Sequence, residues 1–209
     1  MHCSSTHQRA TEVLVAEHTV IWKVLDCLEA LAQQPASKSF DAVTAADILD
    51  FLGQFADRCH HGKEEHCLFT ALNALGMPSH VGPIAVMLNE HVEGRDAISR
   101  MRAELPGCRA GNADALATFK KHANRYVALL RDHIDKENEV LFPMADSMLD
   151  AEGQKQVLAA YERVEKHDLG EGTHERYLAL ADDIVKRLGV KTTAPTGHHG
   201  GGCCGHHGH

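Results

Sequence analysis

A chain of 209 residues, 44% of them hydrophobic, fills one core of ordinary size with a tail to spare, and its formal net charge of -8 leaves no basic footprint for nucleic acid or an anionic membrane. It has no apolar run of about 18 residues to cross a bilayer, and MHCSSTHQRA at the N-terminus lacks the basic and apolar regions of a secretory signal, so the cytoplasm is the expected location. Seven scattered cysteines, an odd number, argue against a disulfide framework and read as thiols. Apolar residues then recur at helical spacing from residue 8 to 189, without strand alternation or hairpin dipeptides. Long helices are predicted near 8–34, 42–75, 83–105 and 112–149, separated by QQPASKS, GMPSHVGP and PGCRAGNAD. Thr44 or Asp41, and Asn112 or Asp114, are the candidate N-caps. A fifth segment, about 151–188, is broken at Gly170 and Gly172. The expected fold is all-α: an antiparallel up-down four-helix bundle with an internal twofold repeat, plus a C-terminal helical segment. Residues 8–188 form the domain. Residues 190–209, rich in His, Cys and Gly, have no apolar face; they are expected to be disordered without metal and to offer a loose metal-binding tract.

Histidine is the unusual component, at 17 of 209 residues. A lone His-x-x-x-acid pair means nothing in such a chain, because about two or three arise by chance. Repetition is what makes it informative. VLVAEHTVIW (13–22) falls on VMLNEHVEGR (86–95), and RCHHGKEEHCLF (58–69) falls on RDHIDKENEVLF (131–142), both at an offset of 73. Positions i and i+4 share one face of a helix, so His60 with Glu64, and His133 with Glu137, each present an imidazole and a carboxylate in one direction. His18 and His91 stand on the other two helices, giving two histidines and one glutamate per half.

Four imidazoles and two carboxylates without cysteine suit iron or manganese better than a structural zinc, which takes four ligands and commonly thiolates. Two iron ions need about ten to twelve coordination positions, and six side chains with an oxo or hydroxo bridge leave room for a small molecule. Manganese or zinc remain substitutes.

The order His, His-x-x-x-Glu, His, His-x-x-x-Glu resembles the hemerythrin and HHE cation-binding domain family. RCHHGKEE, GPIAVMLNEH and HIDKENEVLFPMAD resemble its bacterial members. The resemblance covers residues 8–188. It implies that His18, His60, His91 and His133 are terminal iron ligands and that Glu64 and Glu137 bridge. Oxygen-carrying hemerythrins have a second histidine on the third helix four residues after the first; here that position is Arg95.

Several neighbours stay open at this level. His61 aligns with Ile134 and is assigned a supporting or surface place, while His60 keeps the register of His133. In VEKHDLGEGTHERY, Glu165, His167 and His174 belong to a segment that can cover the site; His174 either fills an open iron position, caps the entrance, or simply packs. Glu17 and Glu90 recur beside His18 and His91 and are candidates to receive a ligating imidazole's other N–H. Lys63 and Lys136 are expected to keep solvated heads, and His66, His80 and His122 to lie on the surface. The functions compatible with this set are a di-iron protein binding or sensing dioxygen, nitric oxide or peroxide, an enzyme decomposing peroxide or supplying iron for cluster repair, and an iron or metal storage and handling protein. Only Met1 to Thr6 precede the bundle, whereas cluster-repair relatives usually carry a cysteine-bearing domain there, which argues against repair. The expected partner is a small diatomic or peroxide ligand, and oligomeric state is not legible.

Overall fold

Three of the helices begin where a short polar side chain satisfies the first free N–H groups. Asp41 accepts from the Thr44 N–H at 3.0 Å, Asn112 from Asp114 and Ala115, and Asp150 from Gly153. The computed structural model describes residues 8–35, 39–170 and 172–194, excluding the side chains of 167–169. Among these residues all the regular structure is helical: α1 (Ala10–Ala32), α2 (42–74), α3 (Gly82–Arg109), α4 (113–148), α5 (151–169) and α6 (Thr173–Leu188). None is long and apolar enough to cross a membrane.

The apolar faces divide into two core clusters. Ile21, Leu28, Phe51, Phe55, Met101, Phe119 and Leu130 belong to one, and Leu14, Leu68, Ile84, Met87, Leu141 and Phe142 to the other. Along α1 and α3 the chain passes from the second cluster to the first; along α2 and α4 it passes from the first to the second. In every one of these helices the polar residues singled out by the repeat fall between the two clusters. Helix α5 adds Val157, Tyr161 and Val164 to the second cluster, and α6 adds Tyr177, Ala181 and Ile184 to the first.

The ladder is not uniform. Over Leu52–His61 and Glu64–Leu68 in α2, and over Glu137–Leu141 in α4, it widens to the π-helical i→i+5 pattern. A wider turn holds more residues, so successive side chains are rotated by less than the α-helical value of about 100°. Two adjacent residues can then face the same interior.

Two boundaries differ from expectation. Helix α3 runs through Pro106 to Arg109 rather than ending at 105, since proline removes only one backbone donor there and the turn is closed by Ala110 and Asn112 N–H groups on Pro106 and Gly107 carbonyls. Gly107 permits the close approach to α4, because a Cβ there would meet that of Ala115 at 2.5 Å. The break between α5 and α6 falls where expected, with Gly170 and Gly172 at φ of 91° and 77°. Residues 190–194, assigned to the tail, include Thr193, whose N–H donates to Asp26 at 2.6 Å and whose hydroxyl accepts from Trp22 at 3.0 Å. Residues 195–209, with the Cys203–Cys204 pair, lie outside the described residues.

Leu28 is fully buried in the first cluster. Leu28→Ala is expected to lower unfolding free energy by about 2–5 kcal/mol through lost transfer energy and the cavity it leaves. Urea titration followed by circular dichroism checks this, and a loss below about 1 kcal/mol would mean that the site can collapse around the smaller side chain.

Candidate metal centre

Between the two apolar clusters lies a layer of side chains that water barely reaches. His18, His60, His61, Glu64, His91, His133 and Glu137 are each 4% exposed or less. One ring or carboxylate atom from each of His61, Glu64, His91 and His133 lies within 4.8 Å of the others, and the same holds for His18, His60, Glu64 and Glu137. Glu64 is common to both groups. Its Oε1 is 3.4 Å from His60 Nε2 and its Oε2 is 3.4 Å from His91 Nε2. Glu137 Oε2 stands 3.2 Å from His18 Nε2 and 3.4 Å from His133 Nε2. The Nε2 atoms of His91 and His133 converge to 3.3 Å.

While the Nε2 atoms point inward, the Nδ1 atoms are held from outside. His60 Nδ1 lies 3.0 Å from Glu17, and His133 Nδ1 lies 2.9 Å from Glu90. Glu17 in turn accepts from Lys63, and Glu90 from Lys136. His91 Nδ1 lies 2.7 Å from Glu65, which Arg95 also holds at 2.7 Å, while His18 Nδ1 lies 2.9 Å from Asn138 Oδ1. An N–H donated at Nδ1 fixes the tautomer that leaves the Nε2 lone pair free for a metal. Each anchor has its counterpart 73 residues on, Glu17 with Glu90 and Glu65 with Asn138.

The electrostatics favour a cation at the centre. Burial, and then the neighbouring Glu137, drives the Glu64 carboxyl well above its usual range, and burial raises Glu137 as well. Burial pushes His18 and His60 down to about 4, so both rings are neutral near pH 7. For His91, burial lowers the value, but the neighbouring Glu64 and Glu65 carboxylates outweigh that and raise it. Among the described residues the buried side-chain nitrogens and oxygens without a hydrogen-bond partner are the Nε2 atoms of His18 and His60, Nδ1 of His61, and all four oxygens of Glu64 and Glu137, together with Gln34 Oε1, Arg131 Nε and the Tyr161 hydroxyl. Buried polar atoms are ordinarily satisfied. Here most of the orphans are imidazole nitrogens and carboxylate oxygens of one layer, and nitrogen with carboxylate oxygen is the donor set that iron takes. The residues therefore fit a metal.

The six side chains singled out by the repeat converge at this layer. His61, assigned a supporting or surface place on register, lies inside it as well, with its ring stacked on His91 at 3.8 Å between centroids. Its Nδ1 is 3.4 Å from Asp57 and makes no hydrogen bond. Register arguments assume one helical period throughout, and the π-helical turns over Leu52–His61 break it. His174 does not enter the layer; it lies 3.3 Å from Glu17 and against Phe55, in a group with Glu17 and Glu165. Glu165 accepts from Lys63. The side chain of His167 lies outside the described residues. His66 and His80 are exposed and His122 half-buried.

One expectation is corrected. Lys63 does not keep a solvated head: it is completely buried, its ammonium lying between Glu17 and Glu165 because α5 covers that side of α2. Lys136, which α5 does not cover, remains about one-third exposed at 34%. Glu65, Asn138, Arg95 and Asp57 were missed as supports, although the offset of 73 between Glu65 and Asn138 was present to be read.

Fold and site together define a metal-binding helical bundle. The chain belongs to the hemerythrin HHE cation binding domain family, whose model matches residues 9–145. Uncharacterized proteins of Mycobacterium tuberculosis and Mycobacterium bovis are 23% identical over 182 residues, covering 87% of this chain and 71% of theirs. The iron-sulfur cluster repair protein DnrN of Neisseria gonorrhoeae is 32% identical over 135 residues, 62% of this chain and 85% of the relative. No solved structure matches the chain.

His61→Ala is expected to weaken metal affinity by at least about tenfold, with helix content unchanged, while His66→Ala on the surface binds as the wild type does. Competition with a chromophoric chelator measures both. Equal affinities would place His61 outside the ligand set.

Proposed function

We propose that this chain is a non-heme di-iron protein that binds or senses a small oxidant, namely dioxygen, nitric oxide or a peroxide, inside its bundle. The observation that carries the reading is the pair of carboxylates standing between two groups of imidazoles, Glu64 with one oxygen toward His60 and the other toward His91, and Glu137 between His18 and His133. His61, His91 and His133 would hold one ion and His18 and His60 the other, with Glu64 and Glu137 available to both. On this account His61 supplies from α2 the fifth imidazole that oxygen-carrying hemerythrins take from α3, where this chain has Arg95. Arg95 instead ties Asp57 to Glu65, the residue that holds His91.

The alternating passage of α1 to α4 between the two clusters, and the paired anchors at an offset of 73, support an antiparallel up-down bundle with an internal twofold. Iron held by these residues would supply redox capacity and a place for a small ligand; manganese or zinc are substitutes. The chain's own residues do the rest. Glu17, Glu65, Glu90 and Asn138 hold the rings in orientation, and Phe142, stacked on His18 at 5.4 Å, helps to exclude water. Exclusion of bulk water strengthens every charge interaction within the layer.

A second reading, delivery of iron to damaged iron–sulfur clusters, has the similarity to the iron-sulfur cluster repair protein DnrN in its favour. Protein reconstituted with iron without oxygen separates the readings. About two irons per chain and a reversible absorption change with dioxygen, nitric oxide or peroxide are expected for binding or sensing. Sustained oxygen evolution from peroxide would make it an enzyme, transfer of the iron to a cluster-depleted acceptor would make it a repair protein, and a single iron per chain would overturn the di-iron reading.

A further inference from the structure

Tyr161 stands in α5, beyond the segment that the family model matches. It is 2% exposed and packs in the cluster that contains Leu14, Leu68 and Phe142, yet its hydroxyl is sealed from water and has no hydrogen-bond partner. A phenylalanine would fill the same apolar space without an unpaired donor, so the hydroxyl needs a polar group to face.

Its surroundings are those of the metal centre. The Glu64, Glu17 and Glu137 carboxylates and the Cys67 thiol act on it electrostatically, and burial, the largest effect, joins them in holding the phenol protonated. The Lys63 ammonium lies 5.9 Å from the ring centre, and Lys63 is bonded to Glu17, the residue that holds His60. Helix α5 also packs on α1, which carries His18, and on the Glu64–Leu68 turn of α2. Tyr161 therefore belongs to the His18–His60 side.

We propose that the Tyr161 hydroxyl donates a hydrogen bond to the small ligand taken up on the His18–His60 side of the centre. The proposal rests on the di-iron reading, under which that side carries two imidazoles against three on the other and so has the position left open. A protonated phenol in an apolar wall has a proton to donate, which suits it to an acceptor such as an anionic or oxygen-derived ligand. The neighbouring group of Glu17, Glu165 and His174 does not offer a rival cation site, since the Lys63 ammonium already lies between its two carboxylates.

Azide, a small anionic acceptor, is the probe. In the iron-loaded protein, Tyr161→Phe is expected to keep its iron content while weakening azide binding by about tenfold to a hundredfold, the range for a hydrogen bond to a charged group. The metal-free variant is expected to melt no lower than the metal-free wild type, because it loses an unpaired buried hydroxyl. In the wild type, the vibrations of bound azide are expected to shift in D2O, a readout that needs no variant to fold. Azide affinity within twofold of the wild type, or no D2O shift, overturns the proposal. Loss of iron together with loss of a visible phenolate-to-iron absorption also overturns it, by making Tyr161 a direct ligand. If the wild type holds iron in the expected amount but takes up no azide, the small-ligand reading fails and this proposal with it.

Discussion

Glu64 and Glu137 are fully buried at the centre of the bundle with no hydrogen bond to any of their four oxygens, and the rest of the structure answers to that fact. A carboxylate out of water costs several kcal/mol unless something cationic meets it, and two facing each other cost more. His18, His60 and His61 cannot serve as counter-ions near neutral pH, because burial holds their rings neutral. A bound cation would satisfy both needs together, neutralising the carboxylates and taking up the nitrogen lone pairs. The apolar clusters on either side keep water out, so the layer has no cheaper way to satisfy its charges.

Around that layer a second set of contacts removes the freedom of the rings. Glu17, Glu65, Glu90 and Asn138 hold the four Nδ1 atoms, and Lys63, Arg95 and Lys136 hold the three carboxylates among them. The set is not symmetric. An anion stands behind His60, His91 and His133, but an amide stands behind His18, so His18 is the less basic donor. Together with His61 on the opposite side, this makes the two halves of the centre chemically distinct although their sequences repeat.

Much of this was legible. The period of the apolar residues and the Pro and Gly clusters marked the helices to within a few residues, and the Asp41 and Asn112 caps were among those foreseen. The offset of 73 brought out the six side chains that converge, because a repeated constellation carries information that no single His-x-x-x-Glu pair does. What escaped has three physical causes. His61 turns inward because the helix there is not an α-helix, and nothing in RCHHGKEE announces a π turn. Lys63 and Tyr161 are set by the way α5 lies across α1 and α2, a tertiary relation that a pattern within one helix cannot encode. The cluster PGCRAGNAD was read as a break from Pro106 onward, but proline removes a single backbone donor and the helix continues to Arg109.

The central claim is that buried imidazoles and carboxylates, without thiolate, hold two ions close together. X-ray absorption at the iron edge of the loaded protein tests it most directly. The account predicts a first shell of nitrogen and oxygen only, outer-shell scattering from imidazole rings, and an iron–iron vector. A sulfur shell from any of the cysteines, or the absence of that vector at full loading, would contradict it.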